Sequence, residues 1–157
     1  MYITDSDKTV KSNNKDILKK LKDIKNITSQ YLQDISDEEL NIFDKSYKKS
    51  IDLKNKMHAN LSAMIKAKKD GENAKIKKLG KEGNGFLNDL EEYGIDYYMV
   101  ADMWDYENQI QKELNPIAKE RMQALHDIMA EQWVLKVLSR VKTLVEPRIV
   151  TDYADYL

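Results

Sequence analysis

The 157-residue chain contains no cysteine, which excludes a disulfide framework and a thiolate-ligated metal and removes any need for an oxidising compartment. Only two prolines and five glycines interrupt it, so helices can run far before meeting a residue that breaks them. No stretch alternates apolar and polar residues as a half-buried strand would. Long hydrophobic runs are missing too. The densest apolar clusters, Trp133 to Leu135 and Tyr97 to Ala101, are far too short to span a bilayer, and Met1 to Lys15 has no apolar stretch of signal-peptide length. A cytoplasmic protein, in the host cytosol or in a virion if viral, is the expectation, with no membrane role.

What is present is lysine, acid, leucine, isoleucine, alanine and methionine, a helix-forming mixture. The length suits one domain with a real core. The expected fold is all-α, an elongated bundle of four to five helices, with residues 1–14 as a mobile arm, 15–147 as a single helical domain and 148–157 as a tail. A first helix over about Lys15 to Asp34 is read from Ile17, Leu21, Ile24, Tyr31 and Ile35 on one face. Ser36-Asp-Glu-Glu39 is a capping box, and Ile35 can staple onto Leu40 across it. From there an apolar stripe of Leu40, Phe43, Tyr47, Ile51, Met57, Leu61, Met64 and Ile65 predicts one helix of about 33 residues, ending at Asp70-Gly71. At ~1.5 Å per residue it is roughly 50 Å long, a length that invites an antiparallel neighbour or a coiled-coil partner.

Beyond Gly71 the reading breaks into shorter pieces. A lysine-rich turn or two over Glu72 to Leu79 precedes Gly80-Lys-Glu-Gly83-Asn-Gly85, read as a loop, and Phe86 to Tyr93 is read as a short helix stopped by Gly94. Asp96 caps the next helix, with Ile95 and Val100 as its staple, and Asn115-Pro116 starts the last, which runs to about Val145. In that last helix Ala118, Met122, Leu125, Ile128, Met129 and Trp133 mark one side. Val134, Val137, Leu138, Val141, Leu144 and Val145 mark another. The stripe therefore turns near Gln132 to Val134: either the helix bends there or its halves pack against different neighbours, one of which could be another subunit.

The formal net charge of −1 conceals a segregation. Twelve lysines between Lys45 and Lys81 face only Asp52, Asp70 and Glu72, a local +9, whereas nine acids between Glu82 and Glu113 face Lys112 alone, a local −8. Lysine exceeds arginine 23 to 3, a bias that resembles proteins of AT-rich genomes, of microbes or of phage.

Enzyme chemistry finds little purchase, and no catalytic residue, metal ligand or cofactor is expected. His58 and His126 lie in helices with no acid three or four positions away, and with Asn55 and Gln123 at minus three the Glu-x-x-His pattern of di-iron bundles is missing. Asp102, Asp105 and Glu107 share a helix without a basic or histidine partner to split their acidities. The Gly80-x-x-Gly83-x-Gly85 segment lacks the strand and glycine order of a nucleotide fingerprint. Phe86 to Trp104 imitates a helix-turn-helix, but its acids would be repelled by DNA.

Two binding readings remain. Six of thirteen aromatics lie in the acidic stretch, and one helix cannot bury them all. Tyr97, Tyr98, Trp104 and Tyr106, with Val137, Val141 and Leu144 of the last helix and Tyr153, Tyr156 and Leu157 of the tail, form the candidate partner-binding set of a non-enzymatic adaptor or accessory protein acting by protein–protein interaction or self-association. The tail Thr151 to Leu157 resembles the short acidic and hydrophobic peptides with which some replication and phage transcription proteins hold a sliding clamp, without the full motif. It could equally cover the apolar face of the last helix. The alternative is a non-specific nucleic-acid-binding accessory factor using Lys45, Lys48, Lys49, Lys66, Lys68 and Lys69, unless the acidic segment neutralises them internally.

Overall fold

The computed structural model describes residues 5–145, with side chains over 14–142. It is all-α: α1 (Asp5–Gln33), α2 (Asp37–Lys69), α3 (Asn73–Glu91), α4 (Tyr97–Lys112) and α5 (Pro116–Val145), with no strand among the described residues. None of these helices is long and apolar enough to cross a membrane. The chain divides into two compact units. Among the described residues, one combines residues 5–34 with Asp102–Val134; the other combines Ile35–Ala101 with residues 135–145.

Local chemistry sets the helix ends. Ser36 is the N-cap of α2, its hydroxyl accepting from the Glu39 amide while the Glu39 carboxylate accepts from the Ser36 amide, a reciprocal box that satisfies two otherwise orphaned donors. Glu39 is buried, whereas Leu40, the expected partner of Ile35 across the cap, stays 39% exposed. Asp96 caps α4 by accepting from the Met99 amide at 2.9 Å, and Asn115 caps α5 by accepting from Ile117 at 2.9 Å. Gly71 and Gly94 each adopt φ +70°. Around Gly71 the Glu72 amide donates to Ala67 O and the Gly71 amide to Lys68 O; around Gly94 the Ile95 amide donates to Leu90 O and the Gly94 amide to Glu91 O. Both are the paired bonds of a Schellman ending, which needs a left-handed residue that glycine supplies without a Cβ clash.

Three expectations change. The chain is already helical from Asp5, ahead of the expected start at Lys15. Among the described side chains of α1 the inward residues are Asn14, Ile17, Leu21, Ile24 and Thr28, steps of three and four in which Asn14 and Thr28 are polar. In α2 the buried set is Glu39, Phe43, Ser50, Leu53, Met57, Asn60 and Ala67, with Ser46 and Met64 half-buried. That is a strict 3.5-residue seam. Ile65, placed in the stripe from sequence, is 55% exposed.

The third change is the glycine segment. Gly80 to Gly85 is no loop but the middle of α3, continuous with Phe86 to Glu91. α3 packs against α2, antiparallel to it across the short Gly71 turn. The reason for glycine in mid-helix is contact: a Cβ at Gly83 would lie 2.8 Å from Asn60 Oδ1, and the Asn60 side-chain amide donates to Leu79 O at 2.8 Å. Tertiary packing thus overrides a local propensity of roughly 1 kcal/mol against glycine. A buried amide at one seam position also fixes the register of the pair, because a shift would leave it unpartnered.

The turn of the apolar stripe in α5 coincides with the unit boundary between Val134 and Leu135. Its first half belongs with α1, where the Asn14 side-chain amide donates to Ile117 O at 3.0 Å and lies 3.3 Å from Glu120 Oε1. In its second half Val137, Leu138 and Val141 are at most 1% exposed, in the unit that holds the α2–α3 pair. Lys136 Nζ there donates to the Gly94 carbonyl at 3.0 Å, adding a cation to the end of α3.

Candidate functional site

The start of α4 divides its side chains sharply. Ile95, Met99 and Val100 take the inward positions at 1%, 8% and 0% exposure, and the cap at Asp96 fixes the phase of the first turn. Tyr97 and Tyr98 must then point outward, at 44% and 73% exposure, and their rings meet edge to face with centroids 5.8 Å apart. Tyr97 also forms one wall of an open groove of about 370 Å³ whose apolar lining comes from Met57, Leu61 and Met64 of α2 and Leu87 of α3, with Lys68 at its rim. Methionine at such a surface adapts to varied side chains. Tyrosine presents a large rigid ring with a polar tip.

The other expected partner residues separate. Trp104 and Tyr106 are half-buried and belong to the first unit, Tyr106 lining a groove with Arg121, Met122 and Leu125. Val137 and Val141 are fully buried and belong to the core, a correction to their placement in a docking surface: the rotated stripe is covered within the chain itself. The side chain of Leu144 and all of Tyr153, Tyr156 and Leu157 lie outside the described residues.

Lys45, Lys48, Lys49, Lys66, Lys68 and Lys69 are all exposed. The second cluster continues across the Gly71 turn into Lys75, Lys77, Lys78 and Lys81, also exposed, so the tip of the α2–α3 hairpin is strongly basic. Of these, Lys75 pairs locally with Glu72 at 3.6 Å, and further along α2 Lys56 pairs with Asp52 at 3.0 Å. These are contacts within the basic stretch, not neutralisation by the acidic one.

Both histidines have partners that helix spacing could not reveal. His58 Nε2–H donates to the Val100 carbonyl at 3.1 Å. His126 Nε2 lies 2.9 Å from Glu107 Oε1 and its Nδ1 3.5 Å from Asp127 Oδ1, which corrects the expectation that Glu107 lacks a histidine partner. The pairing arises between α4 and α5 inside the first unit and is 15% exposed on the histidine side. Both ring nitrogens are thus turned to protein carboxylates. No group of three or more metal-ligating side chains occurs among the described residues. Comparison with protein families, with curated proteins and with solved structures finds no match to this chain.

Proposed function

We propose that the protein works in the cytoplasm by binding rather than by catalysis, as a helical adaptor whose docking surface is the Tyr97–Tyr98 pair and the groove beside it. The observation that carries this reading is the outward presentation of two adjacent aromatic rings over a rigid, capped helix start. Such rings are the residue type in which binding energy concentrates at interfaces. The partner is a protein with an apolar face for the methionine-lined groove and basic residues for exposed Asp96 and Glu91. A photo-crosslinking residue at Tyr98, in cells that naturally express the protein, should trap a discrete protein species, which Tyr97→Ala should weaken. The same residue at exposed Asn55 should not trap it. Equal trapping at both positions, or none at Tyr98, would sink the reading.

A second reading rests on the basic hairpin tip, where exposed lysines from two helices surround one turn. Polyanion binding there predicts retention on nucleic acid that falls linearly in log–log salt plots. Reversing Lys66, Lys68 and Lys69 to Glu should abolish it while the helical circular dichroism stays intact.

A further inference from the structure

An open cavity of about 220 Å³ lies between the N-terminal part of α2, the residues just after α3 and the second half of α5, all in one unit, lined by Lys45, Ser46, Lys49, Glu92, Tyr93 and Arg140. Lys45 and Lys49 stand one turn apart and flank the half-buried Ser46, so α2 lines this space with two lysines and a serine. Arg140 enters from α5. Among the described residues its Nη2 reaches only a long contact of 3.8 Å with the half-exposed Glu92 carboxylate, and its Nε is buried with no hydrogen-bond partner. A guanidinium with an orphaned donor is a fork without its acceptor. Tyr93, 8% exposed, closes one wall of the cavity. Three cations against one carboxylate leave two uncompensated positive charges.

We propose that this cavity is a binding site for a phosphoryl group, carried by a small phosphate monoester or as free phosphate. A monoester dianion at neutral pH bears about −1.5 to −2 charges and three acceptor oxygens, matching the excess charge of the lining and the open donors of Arg140. A carboxylate would leave one cation unpaired. On a small rotation of Arg140 away from Glu92, Nε and Nη2 present the side-on pair of donors that a tetrahedral oxyanion accepts, with Lys45 and Lys49 as point charges beside it. This site is separate from the tyrosine surface of the adaptor reading and stands or falls without it.

The test is titration of the full chain with inorganic phosphate and with glycerol phosphate at constant ionic strength, chloride serving as control, followed by calorimetry and amide chemical shifts. Saturable binding with shifts centred on Lys45 to Lys49 and Tyr93 is expected. Arg140→Gln and, separately, Lys49→Gln should each weaken it by roughly tenfold or more, and Lys66→Gln should leave it unchanged. Equal affinity for both ligands identifies the phosphoryl group alone as the ligand; preference for the monoester shows that the organic part is held too. Unchanged affinity in Lys49→Gln, a surface substitution that spares the fold should Arg140→Gln not, overturns the proposal. Binding that chloride reproduces, or that appears only with a polynucleotide, overturns it as well.

Discussion

The two compact units are held together by different means. In the unit containing the α2–α3 hairpin, twelve described apolar residues are buried, among them Leu90, Ile95, Val100, Val137, Leu138 and Val141 at 1% exposure or less; in the unit built from α1, most of α4 and the first half of α5, four are, namely Leu21, Met103, Ala124 and Trp133. The second of these relies more on polar contacts, the Asn14 amide on Ile117 O and the Glu107–His126 pair. Fully burying a large aliphatic side chain contributes ~1.5–3 kcal/mol, and a hydrogen bond a net ~0.5–1.5 kcal/mol. The hairpin unit is therefore the stability reservoir. The other is specified more by polar matching than by burial, and hydrogen exchange should be faster along α1 than along α3.

The largest test of this contrast is truncation in each core. Leu90→Ala, at 0% exposure, should lower the unfolding free energy by about 3–4 kcal/mol, whereas Leu21→Ala, at 7%, should cost about 2 kcal/mol, both read by denaturant titration. Equal losses would break the comparison. Next in size is Asn14→Ala, which removes the donor to Ile117 O and should cost about 1–2 kcal/mol. Because Asn14 Oδ1 has no partner among the described residues, Asn14→Leu should recover part of that loss, and a larger loss than for alanine would show the polar contact to be indispensable. Ser36→Ala, removing the cap of α2, should cost about 1 kcal/mol. An unmoved midpoint would mean the box is ornamental.

The smallest effects have opposite signs within one helix. Gly83→Ala must displace Asn60, so despite the helix propensity gained it should destabilise by about 1 kcal/mol. Gly80→Ala, where an added Cβ meets nothing within 4 Å, should stabilise by about 0.5–1 kcal/mol. In Asn60→Ala the penalty at Gly83 should vanish, and a double-mutant cycle reads that coupling directly.

These glycines also mark the limit of what the sequence made legible. Ser36, Asp96, Asn115, Gly71 and Gly94 act on chain within a few residues of themselves, and their roles could be read from order alone. Gly83 acts on Asn60, which is remote in sequence, so the same residue type was mistaken for a turn. Seam positions held by Asn14, Ser50 and Asn60 escaped for a related reason: apolar stepping cannot see a polar residue buried by a partner helix. The rotated stripe of α5 was visible, but which neighbour covered Val137 and Val141 was not. Among the clustered aromatics, composition could say that some must be exposed; only the phase set at Asp96 singles out Tyr97 and Tyr98. The cavity at Arg140 draws on three elements, and no spacing joins Lys45 to Glu92 or Arg140.

The bond from Asn14 to Ile117 joins residues 103 positions apart. During synthesis at ~5–20 residues per second, α1 leaves the ribosome roughly 5–20 s before the strand of helix that will receive it. The α2–α3 hairpin, closed by a three-residue turn, can assemble within that interval from local contacts. α1 is thus made well before the residues that fix its place, and a nascent chain stalled before Ile117 should leave α1 open to protease while the hairpin already resists it.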